Sequence, residues 1–174
     1  MSLIKINEVT ADDQANVLLD GITSNEIYYY TFSGVSHVSN NTNGIIRMHD
    51  GSSAIDAGVY SATTVRFRSD GAPTKVDSTN TGFHNSYASS LGNAANQGTQ
   101  TNGYGYLFDL YDASKYSYLK GNFANGQFQS RNRVYAGSLG GVVKTTAQYT
   151  GIQFVPNTGN INKGVFSLYC LKGS

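Results

Sequence analysis

Apolar and polar residues alternate with a period of two along most of the chain, and the spacing typical of amphipathic helices is nearly absent. The clearest alternation lies at residues 103–110, where Tyr104, Tyr106 and Phe108 fall on one face of an extended chain. Residues 27–32 alternate in the same way. Such alternation is typical of strands with one buried face, so both segments are predicted to be β-strands.

The same pattern, with turn residues between the runs, predicts about ten short strands over the whole chain. Only residues 11–18 have a weak helical pattern. The chain is therefore predicted to be all-β, an antiparallel β-sandwich. We expect the jelly-roll type because the first and last strands are both well formed and the connections are long, with fibronectin-like and up-and-down arrangements left open. The predicted strands are residues 3–8, 17–22, 27–32, 44–49, 64–68, 103–110, 116–123, 127–136, 147–150, 151–155 and 164–171.

One long polar segment interrupts this order. Residues 69–102 hold few large apolar side chains and many Ser, Asn, Thr and Gly. Long segments of this kind are either functional or disordered. Within a single domain spanning residues 1–174, we interpret 69–102 as a loop or arm that becomes ordered against a neighbour. The alternative is a surface loop with one irregular strand near Phe83.

Charge and composition narrow the classes of function. Charged residues make up 13% of the chain, the net charge is +1, and the basic residues are scattered. Nucleic-acid binding, which needs a basic patch, is therefore not expected. There is neither an apolar stretch long enough to span a membrane nor a signal peptide. The one cysteine, Cys170, lies in an apolar run and is predicted to be buried, which fits a chain made in a reducing cytoplasm.

Two pairs of carboxylates were considered as catalytic acids and bases. Asp109 and Asp112 lie at a strand end, and Asp12 and Asp13 lie in a polar stretch. Glycoside hydrolysis uses two carboxyl groups on opposite sides of the bond. Both pairs also suit ordinary turns, in which Asp caps its own backbone, and we favour that interpretation.

The histidines and the serine-containing loop do not form a recognised motif. His37, His49 and His84 are far apart and lack the spacing of zinc ligands. The sequence after His49 contains Asp50 and Gly51, which predict a β-turn rather than a nucleophile elbow. We therefore predict no enzyme activity, no catalytic residue, no metal and no cofactor.

Several motifs near the two ends are shared with a known group of proteins. They are residues 2–7 (SLIKIN), 27–33 (IYYYTFS), 151–154 (GIQF) and 159–169 (GNINKGVFSLY). With them the chain resembles small virion structural proteins of tailed bacteriophages, especially those of marine cyanobacteria. Cys170 stands where their closing strand often has Gly. The resemblance implies a β-sandwich assembled in the host cytoplasm and displayed on the capsid or tail, commonly oligomeric and without a cofactor.

Binding is the chemistry that the composition favours. The 13 tyrosines cannot all lie in the core of a sandwich of this size, and outward tyrosines provide large contact areas. Half-buried strand tyrosines are the plainer alternative. The N-terminal strand either augments a neighbour's sheet or pairs within its own domain. The candidate interface residues are Leu3, Ile4, Ile6, Tyr87, Tyr111, Tyr116, Tyr118, Arg131, Arg133 and Tyr135.

Three hypotheses follow, in order of preference. The first is a virion structural protein, a capsid decoration protein or a head or tail fibre module, which contacts phage capsid or tail proteins and forms a homo-oligomer. The second is a carbohydrate-binding module that recognises a host surface glycan, which would show an exposed aromatic platform beside Asp or Asn. The third is a hydrolase, which would need carboxylates clustered in a cleft.

Overall fold

Strands account for all the regular secondary structure in the described part of the chain. A computed structural model describes residues 2–39, 42, 44–56, 58–69, 71–85, 100–127 and 133–173, without the side chains of 76–80, 84–85, 126–127 and 133. The strands are β1 (Ser2–Gln14), β2 (Val17–Asp20), β3 (Ile27–His37), β4 (Gly44–His49), β5 (Tyr60–Arg68), β6 (Gly71–Asn80), β7 (Phe83–Asn85), β8 (Thr101–Phe108), β9 (Ser117–Gln127), β10 (Arg133–Val143), β11 (Gly151–Pro156) and β12 (Ile161–Lys172).

The strands form two antiparallel sheets that pack against each other, which confirms the predicted β-sandwich. The larger sheet has eight strands in the order β1-β12-β3-β8-β9-β10-β5-β6, and the smaller has four in the order β2-β11-β4-β7. The first strand therefore lies beside the last. Every pairing between strands is antiparallel.

Aromatic rings from the two sheets meet in the core. Tyr30 and Phe32 point inward from β3 and contact Phe154 of β11, with ring centroids 5.8 and 5.9 Å apart. Phe166 of β12 lies 4.8 Å from the same ring. All four side chains are at most 2% exposed. The predicted alternation of β3 is thus confirmed, because Tyr28, Tyr30 and Phe32 share the buried face.

Glycines on β8 and β9 make room for this aromatic core. Gly105 and Gly121 lie opposite each other, and a Cβ on either would overlap Tyr30. A Cβ on Gly103 would likewise overlap the ring of Phe32. The carbonyls of β9 are also near Gly103 and Gly105, but the nearest atoms belong to these core rings.

The described part of the polar segment 69–102 contains β6, β7 and the first two residues of β8, so the prediction of one long loop is wrong there. β6 lies at the edge of the larger sheet, and among the described strands it pairs only with β5, so it can form without a run of large apolar residues. β7 is three residues long and buries Phe83 against Tyr60, with ring centroids 5.1 Å apart. Residues 86–99 of the predicted arm lie outside the described residues.

Other boundaries also differ from the prediction. The strand expected at 127–136 is the end of β9 and the start of β10, which runs on to Val143. Within β10, Gly137 and Gly141 face inward, where a Cβ would overlap Phe123 and Phe83. Residues 147–150 are not a strand. The weakly helical stretch at 11–18 is occupied by β1 and β2.

The N-terminal strand pairs within its own domain. β1 lies against β12 from Ser2 to Gln14, with one irregularity between Lys5 and Asn7. The alternative, in which it leaves the sandwich to join a neighbour, is not the arrangement observed. β1 is nevertheless an edge strand, and no other described strand pairs with its second side.

We predict that Gly105→Ala lowers the free energy of unfolding by about 1–3 kcal/mol, because the added methyl group would overlap Tyr30 in a filled core. Gly140→Ala is the matched control. Gly140 lies in β10, and no atom comes within 4 Å of the position that its Cβ would take. Urea unfolding of both variants checks this, and equal stability of Gly105→Ala and the wild type would contradict the packing described.

Candidate binding surface

The outer face of the eight-stranded sheet carries exposed aromatic side chains. Because strand residues alternate between faces, β3 buries Tyr30 and turns Tyr29 outward, and β8 buries Leu107 and turns Tyr104 and Tyr106 outward. Tyr104 is 41% and Tyr106 is 37% exposed. Large aromatic side chains grouped on a surface are typical of interaction sites.

Three tyrosines on successive strands lie directly opposite one another. Tyr169 of β12 faces Tyr29 of β3, which faces Tyr106 of β8. Lys5 of β1 adjoins Tyr169 at one end, and Lys120 of β9 adjoins Tyr106 at the other. We call the residues Lys5, Tyr169, Tyr29, Tyr106 and Lys120 the tyrosine row.

The rings of this surface touch one another. Tyr29 lies at the centre, with its ring centroid 5.1 Å from that of Tyr106, 5.9 Å from that of Tyr104 and 6.0 Å from that of Tyr169. Partial burial raises the pKa of Tyr29, and the neighbouring phenols act in the same direction. Tyr29 therefore stays a neutral hydroxyl well above neutral pH, which keeps the centre of the surface uncharged.

One side of the tyrosine row is apolar. Leu3, Leu171 and Ile27 lie opposite one another on β1, β12 and β3, and Phe108 pairs with Tyr118 on β8 and β9. We call these five residues the apolar end. Leu3 is 53% and Tyr118 is 47% exposed. When a partner covers large side chains that are this exposed, the burial of their apolar surface favours association.

The other side of the tyrosine row is polar. Thr31, Tyr104 and Asn122 lie opposite one another on β3, β8 and β9. Beside them is a groove of about 460 Å³, whose lining also includes Asn102 and Ser33. A second groove, of about 570 Å³, adjoins it and reaches the apolar end. Because both grooves include Tyr104 and Asn122, we call them together the polar trough.

The β3 strand is irregular where it borders the trough. Its pairing with β8 shifts between Phe32 and Val35, and Gly34 has a φ of +62°. The Gly34 N–H donates to the Oδ1 of Asn102 at 2.9 Å. This bond fixes the orientation of the Asn102 amide.

Charged groups are few on this face. Lys5 and Glu8 form an exposed ion pair at 2.6 Å, and the Ser167 hydroxyl also donates to Glu8. These bonds lower the pKa of Glu8, and the bond to Glu8 raises that of Lys5. Lys120 is exposed, and no carboxylate of the described residues lies within ion-pair distance of it.

The predicted interface residues are distributed unevenly. Leu3, Ile4, Ile6, Tyr116 and Tyr118 are exposed, so they remain candidates, and Tyr111 is half-buried against the core. Tyr135 is buried beneath the guanidinium of Arg66, which removes it from the candidates. Arg133 begins β10, and its side chain lies outside the described part of the chain. Tyr87 and Arg131 also lie outside it.

The predicted interface set did not include the tyrosines at the centre of this face, Tyr29, Tyr104, Tyr106 and Tyr169. Alternation at 103–110 gave the grouping of Tyr104 with Tyr106, but not the side of the sheet on which they lie. The glycines next to Tyr104 and Tyr106 were a usable signal for the side of the sheet on which these tyrosines lie. Glycine on one face of a strand indicates that a neighbour needs space there, which leaves the tyrosine face outward.

The carboxylate pair at the end of β8 belongs to a turn, as favoured from the sequence. Asp112 accepts hydrogen bonds from the Ser114 N–H and hydroxyl at 2.9 and 2.6 Å, and Lys115 lies 3.1 Å from Asp112 and 3.6 Å from Asp109. The bonds from Ser114, then Lys115, lower the pKa of Asp112 to about 2. A general acid needs a raised pKa, so Asp112 is unsuited to that role.

The other candidate groups also accept hydrogen bonds within the chain. The prediction that Asp12 and Asp13 lie in a turn is wrong, because both belong to β1, where Asp13 accepts a hydrogen bond from the Asn160 amide at 3.0 Å. Asp50 accepts from the N–H groups of Ser52 and Ser53, both at 2.8 Å, which closes the turn predicted after His49. These bonds lower the pKa of Asp50 to about 2.

Among the described residues, no three His, Cys, Asp or Glu side chains are close enough to share a metal ion. That part of the chain also has no helix long and apolar enough to cross a membrane. Cys170 is buried, as predicted. Compared with models of known protein families and with curated proteins, the chain matches none.

His37 makes the stability of the sandwich depend on pH. It is fully buried at the end of β3, and loss of solvation lowers its pKa from 6.5 to about 4, partly offset by a hydrogen bond with the backbone of Asn160. The unfolded chain thus binds a proton at higher pH than the folded chain. The contribution of neutral His37 to the free energy of unfolding is therefore complete above pH 6.5 and is lost as the pH falls through 4.

We therefore predict that the wild type loses on the order of 3 kcal/mol of unfolding free energy between pH 7 and pH 4 because of His37. His37→Gln should lose much less over this range, although it retains His49 and His84. The low pKa values of Asp50 and Asp112 affect stability only below about pH 4, outside this range. Urea unfolding at a series of pH values measures the difference. If the unfolding free energies of the wild type and His37→Gln fell equally with pH, His37 would be excluded as the cause of the loss.

Proposed function

We propose that this protein is a non-enzymatic structural protein of a tailed-phage virion, a capsid decoration protein or a head or tail fibre module. It acts by contacts with phage capsid or tail proteins and with copies of itself. The observation that carries the proposal is the apolar end, with the adjoining tyrosine row, exposed on a face of low charge. Exposed apolar surface of this kind is typical of proteins that bind other proteins.

The positions of the phage-like motifs support this proposal. Three of the four motifs include parts of β1, β3 and β12, which are neighbours in the larger sheet. Leu3, Ile27 and Leu171 of the apolar end lie on these same strands. Five of the ten residues of the apolar end and the tyrosine row lie within these motifs, namely Leu3, Lys5, Ile27, Tyr29 and Tyr169.

We further propose that the sandwich is a jelly roll with two inserted strand pairs. If β5 with β6 and β9 with β10 are set aside, two sheets of four strands remain, β1-β12-β3-β8 and β2-β11-β4-β7. The remaining strands change sheet at every connection except the one from β4 to β7, and the first lies beside the last. This order is the one expected of two Greek keys folded together. The insertions widen one sheet, which carries the proposed binding surface.

A second candidate function, glycan binding, is supported by the polar trough. Tyr104 is exposed beside Asn122 and Asn102 in a groove of about 460 Å³. A pyranose ring has an apolar C–H face that can pack on a tyrosine ring, and its hydroxyl groups can bond to amides. The two functions use one face, since the first groove lies on the polar side of the tyrosine row and the second extends to Ile27, Phe108 and Leu171 of the apolar end.

The primary proposal predicts that the wild type forms a discrete oligomer or binds purified phage shells at a fixed copy number, measured by light scattering. Leu3→Asp combined with Tyr118→Asp should weaken this association about tenfold or more, because charge replaces the apolar contact. Phe67→Asp is the control, since Phe67 is 52% exposed on β5, away from the apolar end. A wild type that stays monomeric and ignores shells would refute the proposal.

The second candidate predicts that the protein is retained on immobilised host surface polysaccharide. Tyr104→Ala should reduce the affinity about tenfold, because the sugar loses its aromatic platform. Tyr116→Ala is the control, since Tyr116 is 48% exposed and lies outside the trough. No retention, or an equal loss in both variants, would count against glycan binding at this place.

A further inference from the structure

The polar trough is long enough to hold more than one sugar unit. Its two grooves, of about 460 and 570 Å³, each have a volume in the range of ligand sites. They meet at Tyr104 and Asn122 and run from the irregular part of β3 to Ile27 and Leu171. An elongated ligand that crosses β3, β8 and β9 therefore fits better than a compact one.

The centre of the trough offers an aromatic platform in a fixed position. The ring of Tyr104 contacts that of Tyr29 at 5.9 Å with the planes tilted by 40°, so its orientation is supported from one side. The side chain is still 41% exposed, which leaves ring surface for a ligand. A platform that is already oriented loses little conformational entropy when a ligand binds.

Neutral hydrogen-bonding groups surround this platform. The Oδ1 of Asn102 is occupied by the Gly34 N–H at 2.9 Å, so its amide nitrogen is oriented and has hydrogens to donate. Asn122, Thr31 and Ser33 add an amide and two hydroxyl groups. Such groups both donate and accept, as sugar hydroxyls do.

The one charged group in the described lining of the trough is a lysine. Lys120 lines the second groove beside Tyr104, Tyr106 and Asn122, and neither groove has an Asp or Glu in its described lining. Lys5 and Lys115, by contrast, are paired with carboxylates of their own chain. Lys120 therefore supplies a positive charge that an acidic ligand can neutralise.

We propose that the trough binds a carboxylated glycan, with a sugar ring on Tyr104, its hydroxyl groups at Asn102 and Asn122, and a uronate carboxylate at Lys120. This inference rests on the second candidate function and names its ligand class. A single-stranded nucleic acid is disfavoured, because one lysine does not provide the basic track that a phosphate backbone requires.

Calorimetric titration of the full chain tests this proposal. The probes are tetramers of galacturonate, mannuronate and guluronate, with a neutral glucose tetramer for comparison. At least one uronate tetramer should bind more tightly than the neutral one, and added salt should reduce the difference. Lys120→Met should lower the affinity for that uronate about fivefold and leave the neutral tetramer unchanged. Lys144→Met, which removes an exposed lysine just after β10, is the control with equal net charge.

The outcomes distinguish recognition of a carboxylate at Lys120 from glycan binding as such. Equal binding of acidic and neutral tetramers, or no effect of Lys120→Met, would overturn the carboxylate assignment and leave glycan binding intact. No binding of any tetramer would overturn both. Displacement of a bound uronate by an oligothymidylate at equal concentration would also overturn the assignment, because the site would then recognise anions on any backbone.

Discussion

At the centre of the eight-stranded sheet, the Tyr30 side chain fills the space that Gly105 and Gly121 leave open. This contact sets the register of β3, β8 and β9, because a shift of one residue would place Tyr29 inside and expose Tyr30. The same register brings Tyr29, Tyr106 and Tyr169 into one line on the outer face. The packing of the core and the layout of the binding surface therefore follow from one contact.

The outer face differs from the edges of the larger sheet in how it can meet other molecules. At one edge, β1 has an irregularity near Lys5, and at the other β6 has Pro73 and Lys75. Bulges, prolines and lysines are the usual means by which edge strands avoid pairing with other chains. The face itself has few charges, with the apolar end on one side of the tyrosine row, Thr31, Tyr104 and Asn122 on the other, and the polar trough reaching both. Association through side chains of the face thus fits better than addition of strands at the edges.

The sequence predicted the class of fold because alternation is a local property. The inward set of Tyr28, Tyr30 and Phe32 could be read from β3 alone, and the turns at Asp50 and Asp112 from their own residues. The extension of β10 to Val143 could not be predicted, because the role of Gly137 and Gly141 depends on Phe123 and Phe83, which come from other strands. The binding surface could not be predicted for the same reason. Its residues come from β1, β12, β3, β8 and β9, and only the strand order brings them together.

The central claim is that the apolar end of the outer face is covered when the protein acts. Hydroxyl-radical footprinting of the free protein and of the protein assembled on phage particles tests this most directly, since it measures solvent access side chain by side chain. The account predicts strong protection of Leu3, Ile27 and Tyr118 on assembly, whereas Phe67, which lies on β5 away from the apolar end, stays reactive. Unchanged reactivity of Leu3, Ile27 and Tyr118 on assembled particles would contradict it.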